Sequence, residues 1–336
     1  MTVDLLRAYM PAINSAVYRG ADMATALILH HYDFSSYSEK VRLVLGLKEL
    51  TWRSVEISPV LPKPDYMPLT GGYRRAPSLQ IGADVFCDSK RIIEELERRF
   101  PEPSVYPGPD VALQRISIMT LEYWADSIFT RNSINYTSCV NPEAPRFTPE
   151  FLADRAALLH KPEPGLAHRR GAAHKNLAQL RPQLEWISDV LRDGRPYVWG
   201  EKMSLADCVV YHPLWVMDQL AYQRVPWIAP HVRAWMDRIA ARGHGTSTPM
   251  TAQEALAVAA AAEPEPPRPS EVLEGDPALG EVITITPLDY GRDNPSVGQL
   301  VSIDTHRVAL QHSDERTGLV TTHFPRFGYS VRVAPR

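Results

Sequence analysis

Cysteine is scarce: the 336 residues hold three, Cys87, Cys139 and Cys208. They are odd in number and far apart, which excludes a disulfide framework and any zinc-type Cys spacing, and points to a reducing, cytoplasmic setting. Long apolar runs are also missing, so neither a membrane span nor a membrane partner is expected. Charge of one sign is missing too: 36 Lys and Arg face 39 Asp and Glu, a formal net charge of −3. A dedicated nucleic-acid binder would be basic, and Arg74-Arg75, Arg98-Arg99 and Arg169-Arg170 are pairs, not patches. Residues 1–24 carry Asp4, Arg7, Pro11, Asn14 and Arg19, which leaves no signal-peptide core. They read as an N-terminal extension, and Met23 could serve as a start. The eleven histidines form no metal-ligand spacing, so no metal is expected.

The composition that is present, 44% hydrophobic and 22% charged, belongs to a globular protein, and the length calls for two or three domains. Organisation starts at Phe34-Ser35-Ser36-Tyr37-Ser38-Glu39-Lys40-Val41-Arg42. The apolar run Ala26-Leu27-Ile28-Leu29 before it reads as a buried strand, and Val41 to Leu50 after it as a helix. A serine-rich turn opening a helix offers free backbone N–H groups, hydroxyls and the helix dipole to an anion. The same serines also serve simply as N-caps. Trp52 to Ile57 is a second strand, completing a βαβ unit. A loop with Pro59, Pro62, Pro64, Pro68, Gly71 and Gly72 follows. Pro77 to Ile81 and Val85 to Cys87 then form a hairpin, and Asp88-Ser89 caps a helix carrying Ile92, Ile93, Leu96 and Phe100.

From Val111 to Arg242 the pattern is helical. Leu113, Ile116, Leu121 and Trp124 give one apolar stripe, and Leu177, Leu180, Leu184, Ile187 and Leu191 another. Between them, Pro142, Pro145, Pro149, Pro162 and Pro164 break the chain into a long irregular connection. Ser204 and Asp207 form a Ser-x-x-Asp capping box ahead of a buried helix. Past Gly245 come an Ala-rich helical piece, Thr251 to Ala262, and the Pro-rich run Glu263 to Pro269. Short strands at 282–286, 299–304, 307–311, 318–323 and 329–333 make a small all-β module, barrel-like and folding apart from the body. The domain layout is therefore 1–24 extension, 25–107, 108–245, 246–279 linker with a short helix, and 280–336.

The order βαβ, loop, ββα, followed by helices, resembles the cytosolic glutathione transferase superfamily over roughly residues 25–243. Three motifs carry the likeness: the serine turn, Ala76-Pro77 ahead of the third strand, and Asp88-Ser89 at the start of the third helix. The resemblance implies a thioredoxin-like N-terminal domain and an all-α second domain, with the β module as an addition. It implies glutathione as co-substrate, a homodimer and a detoxifying, serine-type transferase. Ser35 matches the reactive position of the Cys- and Ser-type classes, supported by Ser36. Ser-Ser-Tyr-Ser is similar to the zeta-class pattern, with Tyr37 in place of that class's Cys; Tyr37 counts among the implied glutathione-binding residues, and its hydroxyl, inside the first turn of the helix, is the second option after Ser35 for activating the thiol. Ala76 and a cis Pro77 would pair with the cysteinyl backbone, Asp88 and Ser89 with the γ-glutamyl carboxylate, and Arg75 with the glycyl carboxylate. Tyr123, Trp124 and Phe129 are candidates for the pocket of a small hydrophobic electrophile.

The chemistery asked of such a site is modest. A thiol with a pKa near ~8.5 needs about 2.7 kcal/mol of preference for its thiolate to drop by about 2. One hydrogen bond to the charged form contributes about 1.5–3 kcal/mol and a helix N-terminus about 0.3–1. One hydroxyl and one helix suffice. Isomerisation, dehalogenation and ether cleavage run on the same thiolate. A protein that keeps the fold without turnover, as a binding or scaffold protein, is the alternative.

Overall fold

The structure, a computed structural model, describes residues 25–162 and 165–335; the proposed extension at 1–24 lies outside them. Strand β1 (Ile28–His31), helix α1 (Ser36–Leu47) and strand β2 (Thr51–Glu56) form the expected parallel unit, Ile28 standing opposite Arg53. A short α2 (Met67–Thr70) interrupts the loop. Strand β3 (Ser78–Ile81) runs antiparallel to β1, β4 (Asp84–Cys87) returns beside it, and α3 (Ser89–Arg99) follows.

The second layer is helical: α4 (Val111–Trp124), a π-helical turn (Ala125–Phe129), α5 (Thr130–Val140), α6 (Pro149–Leu159), α7 (Leu166–Gly171), α8 (Ala173–Leu191), α9 (Leu205–Ala221) and α10 (Pro230–Arg242). Ser204 and Asp207 close a capping box at the start of α9. One buried apolar cluster joins α1, β3 and α3 to these helices through Leu43, Leu79, Ile92, Phe129, Leu180, Val209 and Trp235.

On α4 the structure departs from the expected stripe. Leu113 and Ile116 are exposed, Leu121 and Trp124 only half-buried, and the inward positions are Gln114, Ile118 and Glu122. The cause is electrostatic: the Lys40 ammonium on α1, fully buried, takes Glu122 at 2.8 Å and Asp126 at 2.8 Å. A buried charge must be paired, and that requirement sets which face of α4 turns inward.

The largest difference concerns residues 246–336. Thr246–Pro249 is a strand, β5, paired parallel to β2, and α11 (Ala252–Ala260) follows under its own Thr251–Glu254 capping box. Strands β6 (Val282–Pro287), β7 (Ser296–Ile303), β8 (Arg307–Asp314), β9 (Gly318–Pro325) and β10 (Tyr329–Val333) agree closely with the sequence reading. They do not stand apart as a barrel. Strand β9 pairs parallel to β4, giving one ten-stranded sheet in the order β10-β6-β7-β8-β9-β4-β3-β1-β2-β5. A second apolar cluster spans the junction, with Leu69, Tyr73, Val85 and Cys87 packed on Ile283, Leu300, Val320 and Phe324.

The Pro-rich run is clamped as well. Arg268 reaches the buried Glu95 of α3 at 2.8 Å, Arg99 binds Glu265, and Glu265 donates its N–H to Asp84. Burial alone would raise the Glu95 carboxyl, but Arg98, Arg268 and Arg91 around it hold it down at about 2. Among the described residues no helix is long and apolar enough to cross a membrane.

Candidate functional site

The serine turn lies where β1 gives way to α1. Ser35 is the N-cap, and its Oγ accepts from the Ser38 N–H at 3.2 Å. Accepting leaves its own proton free to donate, so the cap role and a thiol-binding role are compatible. Ser35 is buried at 3% exposure, Ser36 is buried beside it, and the Ser38 hydroxyl is buried without a partner. Tyr37 sits in the first turn of α1 and donates to the Asp126 carbonyl at 3.0 Å. Burial pushes its phenol well above the ordinary range, and the neighbouring Tyr290 adds to this. Its proton is thus committed at neutral pH.

Beneath Tyr37 lies a charged cluster that the sequence reading missed. Lys40 joins Glu122 and Asp126, and His212 of α9 reaches Asp126 at 3.1 Å. Burial works against every charge here. For Asp126 the Lys40 ammonium outweighs it and holds the carboxyl down, whereas burial wins at Glu122 and raises it. His212 is pushed down by burial and stays neutral. The π-helical turn places Asp126 at the centre. Lys40 gave no signal in the sequence because it stands on a helix face otherwise filled by Val44 and Leu47.

The other motif residues lie where the chain enters β3 and leaves β4. The Ala76–Pro77 peptide is cis, as the resemblance implies. Asp88 has φ +74° and caps α3 by accepting from the Lys90 N–H; Ser89 is buried next to it. Asp88 also accepts from the Tyr329 hydroxyl at 2.9 Å, and Tyr329 lies 3.3 Å from the Tyr73 hydroxyl. Arg75 pairs with Asp289 at 2.6 Å, donates to the Tyr290 carbonyl, and lies over the Tyr290 ring with its carbon 3.9 Å from the centroid. Arg75 and Asp88 are both reached from the added strands, the first by Asp289 and Tyr290 and the second by Tyr329.

The sequence places none of the three motifs within residues 270–336, yet Asp289, Tyr290 and Tyr329 of that segment contact Arg75 and Asp88. No local pattern marks them. Gly72 explains how the module comes so close: its φ is +122°, and a Cβ there would run into the Pro295 carbonyl.

The proposed electrophile residues do not meet around a common cleft. Phe129 is fully buried and stacked on Trp124 at 5.0 Å, Trp124 leans on Trp186, and Tyr123 faces outward against Phe327. The three cysteines are free and buried, and burial pushes the Cys87 and Cys208 thiols well up. Among the described residues no group of three or more His, Cys, Asp or Glu side chains is placed to hold a metal ion.

Residues 29–104 match the family model of the glutathione S-transferase N-terminal domain, and residues 144–243 that of the C-terminal domain. A solved GST-like protein from Pseudomonas syringae is 30% identical, with a TM-score of 0.72, over 92% of this chain and 100% of its own. The chain belongs to the glutathione S-transferase family. The Pseudomonas likeness covers more than residues 29–243 can supply, so it reaches into the added strands. Among curated relatives, the stringent starvation protein A homolog of Pasteurella multocida is 26% identical over 60% of this chain and 80% of its own length. The FtsZ-localized protein A of Caulobacter vibrioides is 27% identical over 61% and 82%.

Proposed function

We propose that this family member is a glutathione-binding protein of the cytoplasm that works by binding, not by transfer. One observation carries the reading: Phe129 is fully buried and stacked on Trp124, whereas Tyr123 faces outward against Phe327, so the residues expected to receive an electrophile do not line one cleft. Glutathione remains the ligand of choice because Ser35 keeps a donatable proton at the α1 N-terminus, and the Ala76–Pro77 peptide is cis and Asp88 caps α3 as the family pattern asks. Relatives named for localisation and for starvation, and not for a reaction, agree with a binding role. The outward apolar residues of α4, Leu113, Ile116, Met119 and Tyr123, form a stripe suited to a second copy, which supports a homodimer.

The second reading is a serine-type transferase, or an isomerase, dehalogenase or etherase on the same thiolate; the free Ser35 proton favours it. Titration with glutathione beside a conjugation assay on an aryl halide separates the two. Binding with no conjugation is the expected result. Conjugation that Ser35→Ala abolishes, with the bound thiol pKa rising by about 1–2, would establish the transferase instead.

A further inference from the structure

Two arms of the β module reach into the site. The β9–β10 end supplies Tyr329 to Asp88. The β6–β7 loop, residues 288–295, supplies Asp289 and Tyr290 to Arg75, and it is pinned beyond them where Gly291 donates to the Leu158 carbonyl at 2.9 Å. The Asp289 carboxylate thus stands on the guanidinium that a ligand carboxylate would need.

We propose that loop 288–295 is an internal ligand of this site: Asp289 holds the place of a carboxylate-bearing peptide, and glutathione binds by displacing it. The proposal rests on the glutathione reading above.

Three observations support displacement over a permanent structural pair. The pair is lopsided: the Asp289 side chain is 59% exposed, whereas that of Arg75 is 14% exposed. A carboxylate that stays largely in water gives up little on leaving, so the contact is weak from its side. The Arg75 guanidinium is also incompletely used. Its Nε is buried and has no hydrogen-bond partner, although Asp289 and the Tyr290 carbonyl take other donors of the group. A planar guanidinium offers five donors, and a buried one left unpaired favours a better-fitting carboxylate. Finally, Asp289 and Tyr290 lie between the end of β6 at Pro287 and Gly291, whose φ is +68°, outside the ladder of β6 and β7. The loop can therefore move without breaking strand pairing.

A loop that must leave before the ligand enters lowers apparent affinity by the fraction of molecules already open. Asp289→Ala removes the internal carboxylate from an exposed position and should leave the fold intact, as a thermal melt will verify. Asp289→Ala/Tyr290→Ala removes the ring stacked on Arg75 as well.

Glutathione is titrated calorimetrically into the full-length protein and both variants, and amide hydrogen exchange across 288–295 is followed with and without glutathione. Affinity is expected to tighten about two- to fivefold in Asp289→Ala, and exchange in the loop of the unsubstituted protein to rise on adding glutathione. Equal affinity in all three proteins with an unmoved loop overturns the proposal while the glutathione reading stands. No binding to any of the three overturns that reading, and the proposal with it.

Discussion

The thioredoxin-like sheet has two edges, and the chain treats them differently. At β2 the edge is covered by four residues, β5, of which Thr246, Ser247 and Pro249 are exposed, and the chain passes directly into α11. At β4 the edge is covered by β9 and, behind it, four further strands with their own apolar cluster. Both covers satisfy backbone groups that would otherwise recruit another chain. Only the second also brings side chains to Arg75 and Asp88 of the candidate site. Closing an edge takes a short polar strand; the larger module at β4 is explained by what it places over Arg75 and Asp88.

The difference has an energetic side. Ending the chain at Ala262 keeps β5 and α11 but leaves Leu69, Tyr73, Val85 and Cys87 only Leu256 and Ala259 of the rest of their cluster and bares the β4 edge. The outcome expected is loss of soluble, cooperatively folding protein, read from soluble yield and a thermal melt. A well-folded fragment with a melting temperature near that of the whole chain would show instead that the module is an appendage, as its Pro-rich approach suggests in sequence.

A finer cut is Phe324→Ala. Phe324 of β9 is buried at 1% exposure and meets Tyr73 edge-on at 5.5 Å, across the junction. Truncating a buried Phe costs about 3–5 kcal/mol. Urea unfolding should show a loss of that size. A loss below about 1 kcal/mol would mean that the junction is loosely packed and that the two edges are alike after all.

What the sequence disclosed, and what it hid, follows the same division. Local signals were readable: the serine cap of α1, the Ser204–Asp207 box, Ala76-Pro77 and the alternation in β6 to β10 each depend on a few adjacent residues. Long-range choices were not. Nothing near 318–325 says that β9 will pair with β4, since an apolar strand suits a closed barrel equally well. Helix α4 was misread because its stripe of Leu113 and Ile116 satisfies periodicity, whereas its orientation is dictated by Lys40, more than seventy positions away. Asp289 and Tyr290 look like ordinary turn residues ahead of Gly291, and only the fold brings them to Arg75. In the candidate site, the half built from the thioredoxin-like segment was legible; the half supplied by the module was not.

The smallest effect is expected at the opposite edge. Arg53 of β2 donates to the Thr248 hydroxyl of β5, a half-exposed contact. Thr248→Val keeps the β-branched shape that suits a strand and deletes only the acceptor. The ladder from Thr51–Thr246 to Ser54–Pro249 is made by backbone groups and stays intact. Water can replace the lost acceptor for the Arg53 guanidinium, so the cost should fall below about 1 kcal/mol. The same urea unfolding used for Phe324→Ala measures it. If Thr248→Val costs as much as Phe324→Ala, β5 is no mere cover, and the β2 edge must bear a share of the stability that the packing of the two edges assigns to β4.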